Sequence, residues 1–204
     1  MIPPPRLPVE AFGGPWGVIE ADLGGPLPQD YKDLSRLYGA GYWLQFLGLN
    51  VPRSVNPNIQ LAPQARAISA AFSGYEDLPY PMWPAPEGLL PLGGTDNGDY
   101  LFWLRRGSRA EAWPIVVWDR AFHSFELIEC DVTGFLAGLA RGKILPKAFP
   151  DDLLPIEPLF STCESYPSVS AEATDAAPRR SGRVRLDLDQ AWSSWRGSAG
   201  RPKS

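Results

Sequence analysis

Gly93-Gly94-Thr95-Asp96-Asn97-Gly98-Asp99-Tyr100-Leu101-Phe102-Trp103-Leu104 is the stretch whose reading decides the fold. Glycine, asparagine and aspartate bend the chain, and a bulky apolar strand follows at once. A second apolar run, Trp113-Pro114-Ile115-Val116-Val117-Trp118, begins within about ten residues. Turn, strand, turn, strand at this spacing reads as antiparallel sheet. Working outward, residues 89–92 read as a short strand before it. Residues 122–128 read as a further strand after the turn Asp119-Arg120-Ala121.

Helices are expected on both flanks. Residues 16–23 place Trp16, Ile19 and Leu23 at helical spacing, and Gly24-Gly25-Pro26 ends the run. Pro28 and Asp30 suit the start of a second helix, with Tyr31, Leu34 and Leu37 or Tyr38 on one face and Gly39 as its stop. Residues 41–49 read as one strand of aromatics and aliphatics. Residues 59–73 read as a helix with Leu61, Ala65, Ile68 and Phe72 on one side. Four prolines make residues 74–88 a connector. Asp131 or Thr133 can cap a last helix, with Phe135, Leu136 and Leu139 inward. The expected fold class is α+β, an antiparallel sheet over residues 89–128 with helices packed on one side.

The organisation follows from composition. Residues 1–13 are Pro/Gly-rich and read as a flexible lead-in. Residues 14–160 form one domain, and residues 161–204 a mostly disordered basic tail. Residues 165–183 hold almost no large apolar side chain to offset ordering entropy. Residues 184–195 are denser, with Leu186, Leu188, Trp192 and Trp195, and read as a short helix or strand that docks on the body. The chain of 204 residues carries a net charge of −4. Residues 1–164 hold 12 Lys/Arg against 19 Asp/Glu, and residues 165–204 hold 7 against 4. An acidic body argues against a nucleic-acid-binding core; ordinary solubility accounts for it, and it is also compatible with a basic partner. The two cysteines, with no apolar leader and no run of membrane-spanning length, make a cytoplasmic location and reduced, structural thiols the expectation.

Catalytic motifs are weak. His123 is the single histidine and is expected on a strand. There is no G-x-S-x-G elbow and no phosphate-binding glycine loop. One His and two distant Cys supply no zinc-ligand spacing. Asp96-Asn97-Gly98-Asp99 lacks the D-x-D-x-D-G pattern and distant Glu of a calcium loop, so a turn is the better reading. The acid pairs Asp96/Asp99, Glu126/Glu129 and Asp151/Asp152 all fall near turns or element ends, where acids are common. No catalytic residue, cofactor or metal is expected. The aromatics Trp16, Trp43 and Trp103 read as core. Phe102 and Trp103 alternate on one strand, so both faces of the sheet are apolar, and a surplus face is the nearest signal of an interaction site.

The ordered set of motifs resembles the SUKH superfamily, the α+β family of the yeast Smi/Knr cell-wall regulators and many bacterial immunity proteins. The set comprises Trp16, Leu27-Pro28-x-Asp30-Tyr31-Lys32, Tyr38-Gly39-x-Gly41 and Leu90-x-Leu92-Gly93. It continues with Asn97-Gly98-Asp99-x-Leu101-Phe102-Trp103, Trp113-Pro114-Ile115-Val116-Val117, Phe135-Leu136-x-x-Leu139 and Phe149-Pro150. The resemblance covers the body and not the tail. It implies architectural roles for Trp16 and Tyr31 as packing residues and for Gly39, Gly41, Gly93 and Gly98 where backbones approach. It implies no catalytic residues. The implied function is a non-enzymatic protein-binding domain, most concretely an immunity protein that occludes a toxin domain, often a nuclease. A regulatory or adaptor domain without a toxin is the alternative, and an enzyme or carbohydrate binder using the aromatics a distant third. No nucleic-acid or membrane partner is expected. Asp96, Asp99, Glu111 and Asp119 are the expected partner-binding acids, because turn side chains are exposed.

Overall fold

Local sequence builds each element before packing joins them. The computed structural model describes residues 2–153 and 160–163; the expectations for residues 165–183 and 184–195 lie outside the described residues. Helix α1 (Gly17–Leu23) buries Ile19 and Leu23 and ends at Gly24, whose φ of 79° is left-handed. Trp83 Nε1 and the Arg105 guanidinium donate to the Leu23 carbonyl, and Arg105 also to that of Gly24, so the helix's free carbonyls are satisfied. Helix α2 (Gln29–Leu37) buries Tyr31 and Ser35.

The strand expected over residues 41–49 is a hairpin of two, β1 (Gly41–Trp43) and β2 (Leu47–Leu49). Leu44 and Gln45 take φ of 56° and 55° to make the bend. Neither Gly nor Pro marks it, so nothing local announces the turn. Helix α3 (Leu61–Phe72) carries Pro63 in its first turn, where a missing N–H loses no partner.

The remaining strands are β3 (Leu89–Thr95), β4 (Tyr100–Leu104), β5 (Ile115–Asp119) and β6 (Ser124–Ile128). Helix α4 (Val132–Ala140) follows, with Asp131 accepting a hydrogen bond from the Gly134 N–H as its cap. β3 runs further than residues 89–92. Gly93 pairs with Leu49, and a Cβ on it would lie 2.2 Å from the Gly48 carbonyl oxygen. Gly93 therefore serves the close approach of β2 and not a turn. A further strand, β7 (Phe160–Thr162), pairs with β1 where the tail was expected to begin. The sheet is antiparallel throughout, in the order β6-β5-β4-β3-β2-β1-β7.

The α+β reading with an antiparallel sheet holds, and the sheet has two apolar faces. Leu101, Trp103, Ile115 and Val117 share a core with Leu23 of α1, Tyr31 of α2, and Phe135 and Leu139 of α4. Phe102, Leu104, Val116 and Trp118 share the second core with Ile68 and Phe72 of α3. The helices thus do not all lie on one side. The end of α3 covers the second face, with the Phe72 ring edge-on to Phe102 at 5.7 Å and to Trp118 at 4.9 Å. The surplus face of the sequence reading is a second core.

The lead-in also differs from expectation. Ile2 and Phe12 are buried, Ala40 N–H donates to the Val9 carbonyl, and the Tyr38 hydroxyl donates to that of Ile2 at 2.6 Å. Scattered apolar residues among prolines conceal this docking, because the bonded partners lie 31 and 36 positions away in the chain.

Candidate partner-binding site

The four turn acids separate on folding. Asp99 accepts from the Thr95 hydroxyl at 2.7 Å and from the Arg120 N–H at 3.1 Å. Asp119 accepts from the N–H groups of Ala121 and Phe122 at 2.7 and 3.1 Å. These aspartates are 3% and 7% exposed, which corrects the expectation that turn acids face solvent. They close the hairpins by satisfying backbone donors. Burial raises the Asp99 carboxyl pKa, and the nearby Asp119 charge adds to it. Asp96 is half-buried in the same turn, its N–H bonded to the Phe46 carbonyl. Glu111 is exposed beyond the other end of β4, about 17 Å away along a five-residue strand.

The possible nucleophiles and bases stand apart. His123 sits in the β5–β6 turn with φ 51°, and not on the strand where it was expected. Its ring stacks on Trp118 at 5.9 Å and meets Tyr75 edge-on at 5.8 Å. Cys130 and Cys163 are unpaired and half-buried. Burial pushes both thiols up to about 11; the charges of Asp131, Asp30 and Glu129 add to it at Cys130, and that of Glu10 at Cys163. Both are protonated, weak nucleophiles at neutral pH. Among the described residues no cluster of three His, Cys, Asp or Glu side chains could hold a metal ion.

A groove of about 650 Å³ between α2 and α4 is the concave surface with binding character. Small residues build it. Gly134, Ala137 and Ala140 on α4 leave the space that larger side chains would fill against α2. Leu34, Leu37, Tyr38, Trp43 and Leu136 line it with apolar surface, and Leu37 is 41% exposed there. Asp30, Asp33 and Asp131 stand along the groove, with Arg141 at the last turn of α4. Asp33 pairs with Arg36 at 3.5 Å. Among the described residues, no Lys or Arg forms an ion pair with Asp30 or Asp131.

Of those two acids, Asp30 ties the helices together and Asp131 caps α4. Asp30 accepts from its neighbour Tyr31 N–H at 2.7 Å and, across the groove, from Thr133 N–H at 3.0 Å. Asp131 accepts from Gly134 N–H and from the Thr133 hydroxyl. Burial raises the Asp30 pKa against these backbone bonds, and the Asp131 charge raises it further. The mouth of the groove is thus an unneutralised negative site over an apolar floor. The sequence places Asp30 as a helix-dipole residue, which holds, and offers Asp131 or Thr133 as the cap of α4, of which the structure uses Asp131. Their juxtaposition across a hundred residues of chain had no local signal.

The model of the family described as SMI1-KNR4 cell-wall (SUKH_6) matches residues 16–136, from the turn before α1 into α4. No curated protein and no solved structure matches the chain. The matched span holds most of both sheet faces, all of α2 and the first half of α4, and it covers more than half of the sequence. By that match, with the antiparallel sheet and its packed helices behind it, the chain belongs to the SMI1-KNR4 family of the SUKH superfamily.

Proposed function

We propose that the domain is a protein-binding module and that its partner is a basic toxin domain, which it neutralises by occlusion. Family membership supports the binding class. The observation that carries the reading to a surface is the α2/α4 groove, where an apolar floor meets two carboxylates that form no ion pair among the described residues. Such a surface suits an apolar anchor flanked by Arg or Lys on the partner. Occlusion takes about 800 Å² on each side and no chemistry from this chain. Asp96 and Glu111 act as steering charges outside the groove, while Asp99 and Asp119 serve the hairpins. A regulatory or adaptor domain of the same fold would use the same groove for a partner that is not a toxin.

The test is association kinetics against the product of the adjacent gene, at low and high salt. A one-to-one complex whose association rate falls steeply with salt, and whose affinity drops at least tenfold in Leu37→Glu, supports the reading. Binding that ignores Leu37→Glu removes the groove from the account. Absence of binding to any neighbouring product leaves the adaptor reading as the better one.

A further inference from the structure

We infer that in the free protein the α2/α4 groove is occupied by this chain's own C-terminal segment, residues 179–195. That segment carries Arg179, Arg180, Arg183 and Arg185, followed by Leu186, Leu188, Trp192 and Trp195. It brings cations and apolar side chains in one short run, which complements acids along an apolar floor. Asp30 and Asp131 have no cation of their own among the described residues, and Leu37 leaves apolar surface uncovered. Desolvated arginine beside unpaired carboxylate forms short charge-assisted bonds, and tryptophan on an apolar floor gives the area.

The route of the chain favours this occupant. The described residues end at Cys163, directly after β7. The Phe160 ring on β7 packs on Trp43 at 4.8 Å and on Tyr38 at 5.1 Å, and both of those residues line the groove. The described chain therefore passes one end of the proposed site at Phe160 and ends three residues on at Cys163, whose N–H donates to the carbonyl of Ala40, two positions beyond Tyr38. Fifteen residues separate Cys163 from Arg179, and a random-coil linker of that length spans about 21 Å on average. Helix α2, with nine residues, is about 13 Å long. The tether can thus reach Asp30 at the far end and holds the segment at an effective concentration of about millimolar. A weak intrinsic contact then suffices to keep the groove filled.

The inference deepens the reading of the groove as the partner site and rests on it for one consequence: a partner must displace the segment before it can bind. The docking itself is tested without a partner. Full-length protein is digested briefly with trypsin, and cleavage after Arg183 and Arg185 is timed by mass spectrometry. Three full-length variants are compared: Asp131→Asn, which keeps the cap oxygen and removes the charge; Leu37→Glu on the groove floor; and the double change Trp192→Ala with Trp195→Ala. Circular dichroism and melting confirm that each body is folded. Cleavage is expected to be at least tenfold faster in Leu37→Glu and in the tryptophan variant, and several-fold faster in Asp131→Asn. High salt should narrow the last difference.

Equal cleavage in all four proteins overturns the inference. Protection that grows with protein concentration also overturns it, because the occupant is then a second copy's tail. The two readings fail separately. A partner lost on Leu37→Glu, with a tail cut equally in every variant, sinks the docking and spares the function. A protected tail with no partner found does the reverse.

Discussion

The Asp30 carboxylate on α2 accepts a hydrogen bond from the Thr133 backbone N–H in the first turn of α4, at 3.0 Å. One side chain thereby satisfies an orphan donor of a helix a hundred residues away and sets the width of the groove. It does so beside Asp131, whose charge opposes its own.

That opposition fixes a pH dependence. Burial raises Asp30 and Asp99 above the ordinary aspartate range, with Asp131 and Asp119 respectively adding to it. A raised carboxyl favours the folded state while protonated, and that contribution is lost as pH rises from the ordinary aspartate value through the raised one. Asp131→Asn keeps the cap and removes the like charge on Asp30. Its urea midpoint should exceed that of the wild type at pH 7, and the difference should shrink at pH 4. A variant less stable at pH 7 would show that the Asp131 charge at the N-terminus of α4 outweighs the repulsion.

Glu20 behaves in the opposite sense. Burial raises its pKa, but the hydrogen bond from Lys32, the Leu27 N–H and the Lys32 charge together bring it below the ordinary value. Its stabilisation is present above the ordinary glutamate pKa and is lost as pH falls through the lowered one. Glu20→Gln should cost about 1–2 kcal/mol at pH 7 and less at pH 3. Denaturation at the two pH values checks it; an equal cost at both would mean that packing, and not charge, is what Glu20 supplies.

Trp103 is fully buried and meets the Tyr31 ring edge-on at 5.0 Å. Trp103→Ala should cost about 3–5 kcal/mol. Its indole N–H is buried without a partner among the described residues, so Trp103→Phe, which deletes that donor, should cost less than half as much. Chemical denaturation of the pair decides. A phenylalanine variant as damaged as the alanine one would mean that the site needs the whole indole and that a benzene ring does not replace it.

Tyr31 binds the sheet through its other end. Its hydroxyl donates to the Asn50 carbonyl at 2.7 Å in a fully buried setting, which also pushes the phenol pKa well up. Tyr31→Phe leaves that carbonyl unsatisfied and should destabilise by about 1–3 kcal/mol. A change within 0.5 kcal/mol, the range of about neutral surface substitutions, would show that water replaces the hydroxyl.

The turn acids give a paired comparison. Asp99→Ala removes the acceptor of the Thr95 hydroxyl and the Arg120 N–H and should cost about 1–3 kcal/mol. Glu111→Ala, exposed, should change stability by less than about 0.5 kcal/mol. Thermal melts of the two variants suffice, and equal effects would contradict the assignment of Asp99 to the hairpin.

The sequence by itself determined the antiparallel sheet, because Asn97-Gly98 and the alternation of Leu101, Phe102 and Trp103 are local signals with fixed geometric meaning. It narrowed the cap of the last helix to Asp131 or Thr133 for the same reason, and the fold uses Asp131. Only the tertiary structure decided which positions the local pattern left equivalent. Leu44 and Gln45 bend because β2 must pair with β3. Phe102 and Trp103 face different cores because α3 reaches the second face. Asp99 is buried and Glu111 exposed although both sit in turns. The groove exists because Ala137 and Ala140 meet Leu34 and Leu37 from a distant helix. Periodicity reports which side of an element is apolar; what that side meets is set by long-range packing, which a local window of sequence does not contain.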